Sequence, residues 1–138
     1  SGTIAELLNI KPIVSIDIND GKYYTYDKVR GRKKSLSKMI EIGENILKNK
    51  KCRLCVVHGC ALEDSQKMFQ ELKKHPNIVS SVFGGILRPV SGVHSGPGLV
   101  GMILFEEEYF LWVNSILKGI QRKKKNFYTR NIRRNFWN

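Results

Sequence analysis

The stretch Cys52-Arg53-Leu54-Cys55-Val56-Val57-His58-Gly59-Cys60-Ala61-Leu62-Glu63-Asp64 decides the fold class, because its periodicity changes within a few residues. Cys52, Leu54, Val56 and His58 alternate with Arg53, Cys55, Val57 and Gly59 in an apolar run, the pattern of a buried strand. Residues 61–64 then open a helix whose buried face falls on Leu62, Met68, Phe69 and Leu72 and which ends near His75-Pro76. A strand feeding directly into a helix predicts an α/β unit. The same stretch holds all three cysteines, Cys52, Cys55 and Cys60. A Cys-x-x-Cys pair with a nearby histidine invites a zinc or redox reading, but no second Cys-x-x-Cys or His-x-x-x-His completes a ligand set. On a buried strand cysteine serves as a small hydrophobe, so no metal and no cofactor are expected, and three clustered thiols suit a reducing cytoplasm.

Upstream, residues 35–48 place Leu36, Met39, Ile40, Ile42, Gly43, Ile46 and Leu47 at helical spacing with lysines opposite. Before them, residues 11–18 and 22–29 are two extended runs joined by Asn19-Asp20-Gly21, which predicts a hairpin; Pro12 ends a short helical stretch over residues 3–8. Downstream, residues 78–83, 86–90 and 99–105 are apolar runs separated by Gly84-Gly85 and by a glycine-rich segment. Strands alternating with helices after an opening hairpin predict an α/β domain over residues 1–105, with helices covering a mixed sheet. Residues 106–120 begin with three acids and carry Tyr109, Phe110, Val113, Leu117 and Ile120 at helical spacing, and a basic, flexible arm is expected to follow. Residues 106–138 thus form a separate segment.

The chain has 138 residues, 41% of them hydrophobic, enough for one modest core. No run approaches the roughly 18 apolar residues of a membrane-spanning helix. The N-terminal SGTIAELLNI lacks the basic and apolar regions of a secretory signal, and it reads as though cut from a longer chain. Net charge is +12, from 24 basic and 12 acidic residues, and its placement is uneven. From Lys118 to Asn138 there are eight basic residues and no acid. With Phe127, Tyr128, Phe136 and Trp137 interleaved, that tail admits a second function, binding of nucleic acid or an anionic membrane.

The glycine-rich segment Gly92-Val93-His94-Ser95-Gly96-Pro97-Gly98 holds the candidate site. Its glycines let backbone N–H groups approach a ligand, while Ser95 Oγ and a His94 N–H can donate to a carboxylate. On chemistry alone His94 is equally a satisfied histidine in a tight turn. A general-base or phosphotransfer role finds no support in a local carboxylate, a phosphate-binding loop or a nucleophile elbow, so the chain is not expected to be an enzyme.

Four segments in order resemble the C-terminal half of DegV-family proteins: LLNIKPI at 7–13, the hairpin with KVRGRKKSL at 28–36, the strand–helix unit around VVHG, and VSGVHSGPGLVG at 90–101. The similarity covers about residues 3–105 and not the tail. The resemblance implies a bacterial protein of two α/β domains with a long-chain fatty acid between them, acting as the non-catalytic subunit that presents the carboxylate to a separate fatty acid kinase for phospholipid synthesis. It places His94, Ser95, Gly96 and Gly98 on the carboxylate wall and Arg30 at the kinase surface. It also implies a departure. The family's N-terminal domain, which supplies most carboxylate contacts, is not in this chain, so a full pocket is expected to need that domain or a self-associating copy.

Overall fold

The computed structural model describes residues 4–17, 19–87 and 98–136, with side chains placed for all of these except residues 5 and 126–136. Helix α1 (Ile4–Leu7) leads into β1 (Ile10–Ile16) and β2 (Tyr23–Arg30); α2 (Arg32–Leu47), β3 (Cys52–Gly59), α3 (Leu62–Lys73), β4 (Ile78–Ile86), β5 (Leu99–Glu106) and α4 (Glu107–Phe136) follow. Among the described residues the strands make two sheets. One is the antiparallel β1–β2 hairpin, in which the Asp17 N–H donates to the Lys22 carbonyl at 2.9 Å and Gly21 takes φ +70°. The other has the order β4-β3-β5, with β3 parallel to β4 and antiparallel to β5. The expected mixed α/β architecture is therefore present.

Helices α2 and α3 lie on one face of the three-stranded sheet. Alternation on β3 sends Cys52, Leu54, Val56 and His58 into that layer, where the first three join Leu47 of α2, Met68 and Leu72 of α3 and Val100 of β5. Leu36, Met39 and Ile40 pack around this cluster from the expected stripe of α2, while Ile46 turns outward. Gly43 lets α2 approach closely. A Cβ there would stand 2.8 Å from Met102 Sδ and 3.0 Å from Leu72 Cδ2.

Two elements differ from the sequence expectation. Gly84-Gly85 does not separate two strands, because β4 runs through both residues to Ile86. The pair forms an irregularity in the ladder: Phe83 pairs with Val56 and Gly85 with Val57, leaving Gly84 as the extra residue, and Gly85 takes φ +77°. At this bulge glycine supplies the positive φ of residue 85 without strain. The C-terminal helix also extends well past Ile120, to Phe136. Lysine, arginine and glutamine are good helix formers, and no proline interrupts residues 107–136, so the backbone continues helical after the apolar spacing fades.

Candidate functional site

The parallel strands β3 and β4 end at one edge of the sheet, and antiparallel β5 begins there. The last two carbonyls of β3 hold the chain on either side of residues 88–97. His58 O accepts from the Leu87 N–H at 2.7 Å, and Gly59 O accepts from the Gly98 N–H at 2.7 Å. The carboxyl ends of parallel strands are where open α/β sheets receive ligands. His94, Ser95 and Gly96 lie outside the described residues; Gly98 lies within them, at the base of the segment.

Gly98 has φ +96°, a left-handed backbone that favours glycine. A Cβ there would also stand 3.3 Å from Arg32 Nη1. That guanidinium makes the principal side-chain contact of the edge. Arg32 Nη1 donates to the Gly98 carbonyl, while Nε and Nη2 each lie 2.9 Å from Asp64 Oδ2. Arg32 is the first residue of α2 and Asp64 sits in the first turn of α3, so one side chain ties two helix starts to the start of β5. A cation at a helix N-terminus opposes the helix dipole, and Asp64 offsets that cost.

Arg32 was not singled out by sequence reasoning, which selected Arg30. Arg30 is the exposed last residue of β2, opposite Ile10, and Gly31 at φ +92° turns the chain between the two arginines. Nothing local distinguishes Arg32 within KVRGRKK, because its partners lie 32 and 66 residues further along.

The cysteines do not converge. Cys52 is buried under the helices, and burial pushes its thiol above the ordinary range; Cys55 is half-buried on the opposite face, and Cys60 is exposed with φ +52°. Among the described residues no group of three histidine, cysteine or acidic side chains is placed to hold a metal. His58 is a satisfied structural histidine. Its Nδ1 accepts the Ala61 N–H at 3.2 Å, which puts the proton of the neutral ring on Nε2, and the ring stacks on Phe83 with centroids 5.9 Å apart.

The face of the sheet away from α2 and α3 is apolar and largely open. Val82, Ile103 and Phe105 are exposed there, beside half-buried Cys55 and Val57. Val57 fills the space that side chains on its neighbours would need, since a Cβ at Gly84 or Gly101 would stand 2.8 or 2.9 Å from its methyl groups. The result is a low apolar platform leading to the edge where Gly98 and Leu87 are fastened. This arrangement can bind apolar matter beside a polar end. Among the described residues it offers no nucleophile paired with a base.

Together these features define a mixed α/β domain with an apolar face and a glycine-fastened segment at one sheet edge. Residues 1–107 match the family described as "Uncharacterised protein, DegV family", and the chain belongs to that family. It is 58% identical over 107 residues to a DegV domain-containing protein of Clostridium acetobutylicum, an alignment covering 78% of this chain and 38% of that protein. It is 32% identical to Protein DegV of Bacillus subtilis, over 72% of this chain and 34% of that one. Among solved structures it superposes with a TM-score of 0.55 on a DegV lipid-binding protein from Thermotoga maritima, at 25% identity over 77% of this chain and 36% of that chain. A fatty-acid-binding DegV-family protein from Streptococcus agalactiae shares the fold with a TM-score of 0.58, at 24% identity over 75% of this chain and 36% of that chain. The chain thus spans little more than a third of these relatives, a C-terminal-like portion of them.

Proposed function

We propose that the chain supplies one wall of a long-chain fatty-acid site, with His94, Ser95 and the backbone of Gly96 and Gly98 facing the carboxylate. The observation that carries this reading is the fastening of Leu87 and Gly98, which flank residues 88–97 in the sequence, to the carboxyl end of β3 beside an apolar sheet face, in a family with a lipid-binding member of the same fold. The physics agrees. Each CH₂ taken out of water contributes about 0.8 kcal/mol, so a long acyl chain favours an apolar surface with a few polar groups at one end. The rest of the site belongs to a further α/β domain or to a second copy of this chain. The finer role follows from the same reading: a non-catalytic, cytoplasmic subunit presents the bound carboxylate to a separate fatty acid kinase that docks at Arg30, for phospholipid synthesis.

The test is mass spectrometry of an organic extract from the chain joined to the missing N-terminal portion of a close relative. A long-chain fatty acid is expected in the extract, and His94→Ala or Ser95→Ala should reduce its retention about tenfold, the effect of one lost charge-assisted hydrogen bond. Arg30→Ala should leave ligand content unchanged while slowing phosphorylation by the kinase. A joined protein that carries no acyl species and takes up none when offered overturns the assignment.

A further inference from the structure

Helix α4 begins where the family match ends, at residue 107, and its chemistry is unlike that of the domain before it. Its first turn is held to the sheet. Glu107 accepts from Arg53 Nε at 2.6 Å and Nη2 at 3.0 Å, and the Arg53 guanidinium lies 3.7 Å from the centroid of the Phe110 ring. From Ser115 to Lys125, by contrast, every residue is exposed.

At 100° per residue, Trp112, Ile116 and Ile120 form one row along the helix, flanked by Tyr109 and Leu117. These five side chains are 44–57% exposed. Lys118, Arg122 and Lys125 occupy the opposite side, lining a shallow hollow with Gln121, and Leu111 is the apolar residue among them. Lys123 and Lys124 close the C-terminal end of the apolar row. No acidic residue occurs between Tyr109 and Lys125. The helix is therefore amphipathic, aromatic near its start and cationic on its far side and end.

We infer that α4 is a docking surface for an anionic lipid bilayer, lying in the plane of the headgroups. Its apolar row enters the acyl boundary, Trp112 and Tyr109 sit at the interface, and the lysines and Arg122 reach the lipid phosphates. Charge complementarity selects this occupant. A nucleic acid would satisfy the cations but leave Ile116 and Ile120 in water, and a second copy packed along α4 would add its own lysines to Lys118, Arg122, Lys123 and Lys124 without supplying an acid, since none occurs between Tyr109 and Lys125. No described helix is long and apolar enough to cross the bilayer, so the contact is superficial.

The experiment uses the full chain with Trp137→Phe, which leaves Trp112 as its sole tryptophan. Co-sedimentation with phosphatidylcholine vesicles is compared with and without phosphatidylglycerol. Binding should be about tenfold stronger to the anionic vesicles, fall as salt rises and shift Trp112 emission to the blue. The pairs Ile116→Asp/Ile120→Asp and Lys118→Glu/Arg122→Glu should each weaken it about tenfold. These positions are solvent-exposed, and far-ultraviolet circular dichroism verifies that the variants fold. Equal binding to both vesicle types, no binding, or Trp112 emission unchanged by vesicles overturns the inference. So does a single-stranded RNA that binds the parent and the double aspartate variant equally while vesicles bind neither, an outcome that assigns the helix to nucleic acid.

Discussion

The two faces of the β4-β3-β5 sheet are built from the same strands and have opposite fates. Toward α2 and α3, Leu54, Val56, Met68 and Leu72 are buried together; on the other side Val82, Ile103 and Phe105 stand exposed. Among the described residues, helices contribute to a shared core on the covered face, while the open face is engaged by the first turn of α4 through Arg53. Adjacent residues of one strand thus separate two tasks. One face supplies folding stability, and the other presents apolar side chains that the described helices leave exposed.

That contrast is breakable, and the largest expected effect is on the covered face. Leu72→Ala should lower unfolding free energy by about 2–5 kcal/mol in urea denaturation, whereas Ile103→Ala should cost less than about 1 kcal/mol. Equal losses at the two positions would mean that the open face is part of the folding core. A smaller effect is expected where the faces meet at the sheet edge. Gly98→Ala forces a side chain into a left-handed backbone against Arg32 and should cost about 1–2 kcal/mol in the same assay.

The smallest effect concerns the tether of α4 to the open face. The Arg53 hydrogen bond holds the Glu107 carboxyl below its ordinary value of 4.5. A carboxylate depressed in this way contributes stability above its unfolded pKa, and loses it as pH falls through the folded value. The melting temperature of the native chain should therefore exceed that of an Arg53→Met variant near neutral pH, with the difference shrinking below about pH 4.5. A difference independent of pH would assign the contribution of Arg53 to its packing over Phe110.

The layered frame was legible because strand and helix periods alternate cleanly, most plainly where the alternation on Cys52–Gly59 gives way to Met68 and Leu72; Leu62, expected on the same buried face, is instead exposed at the first position of α3, where the helix has only begun to cover the sheet. Gly84-Gly85 was misread because a glycine pair signals a turn and a bulge alike, and only the partner strand distinguishes them. The reach of α4 was hidden because lysines and arginines carry helix propensity without an apolar pattern. At the candidate site, His94, Ser95 and Gly96 were selected by local chemistry and by family resemblance. Arg32 escaped because its role exists only once α3 and β5 are brought beside it.

The two carbonyls at the end of β3 have one more consequence, for how such a domain changes over time. They fasten Leu87 and Gly98 on opposite sides of one strand, so the ends of the intervening segment are set two strand spacings apart, about 10 Å. Ten residues separate them in the sequence, and a chain of ten can span up to roughly 33 Å, more than that distance requires. Doubling the length of such a link costs only about 0.6 kcal/mol of closure entropy. Leu87 and Gly98 therefore stay anchored to one strand at little entropic cost whatever the length of the link between them, and an insertion there should leave the frame beneath intact.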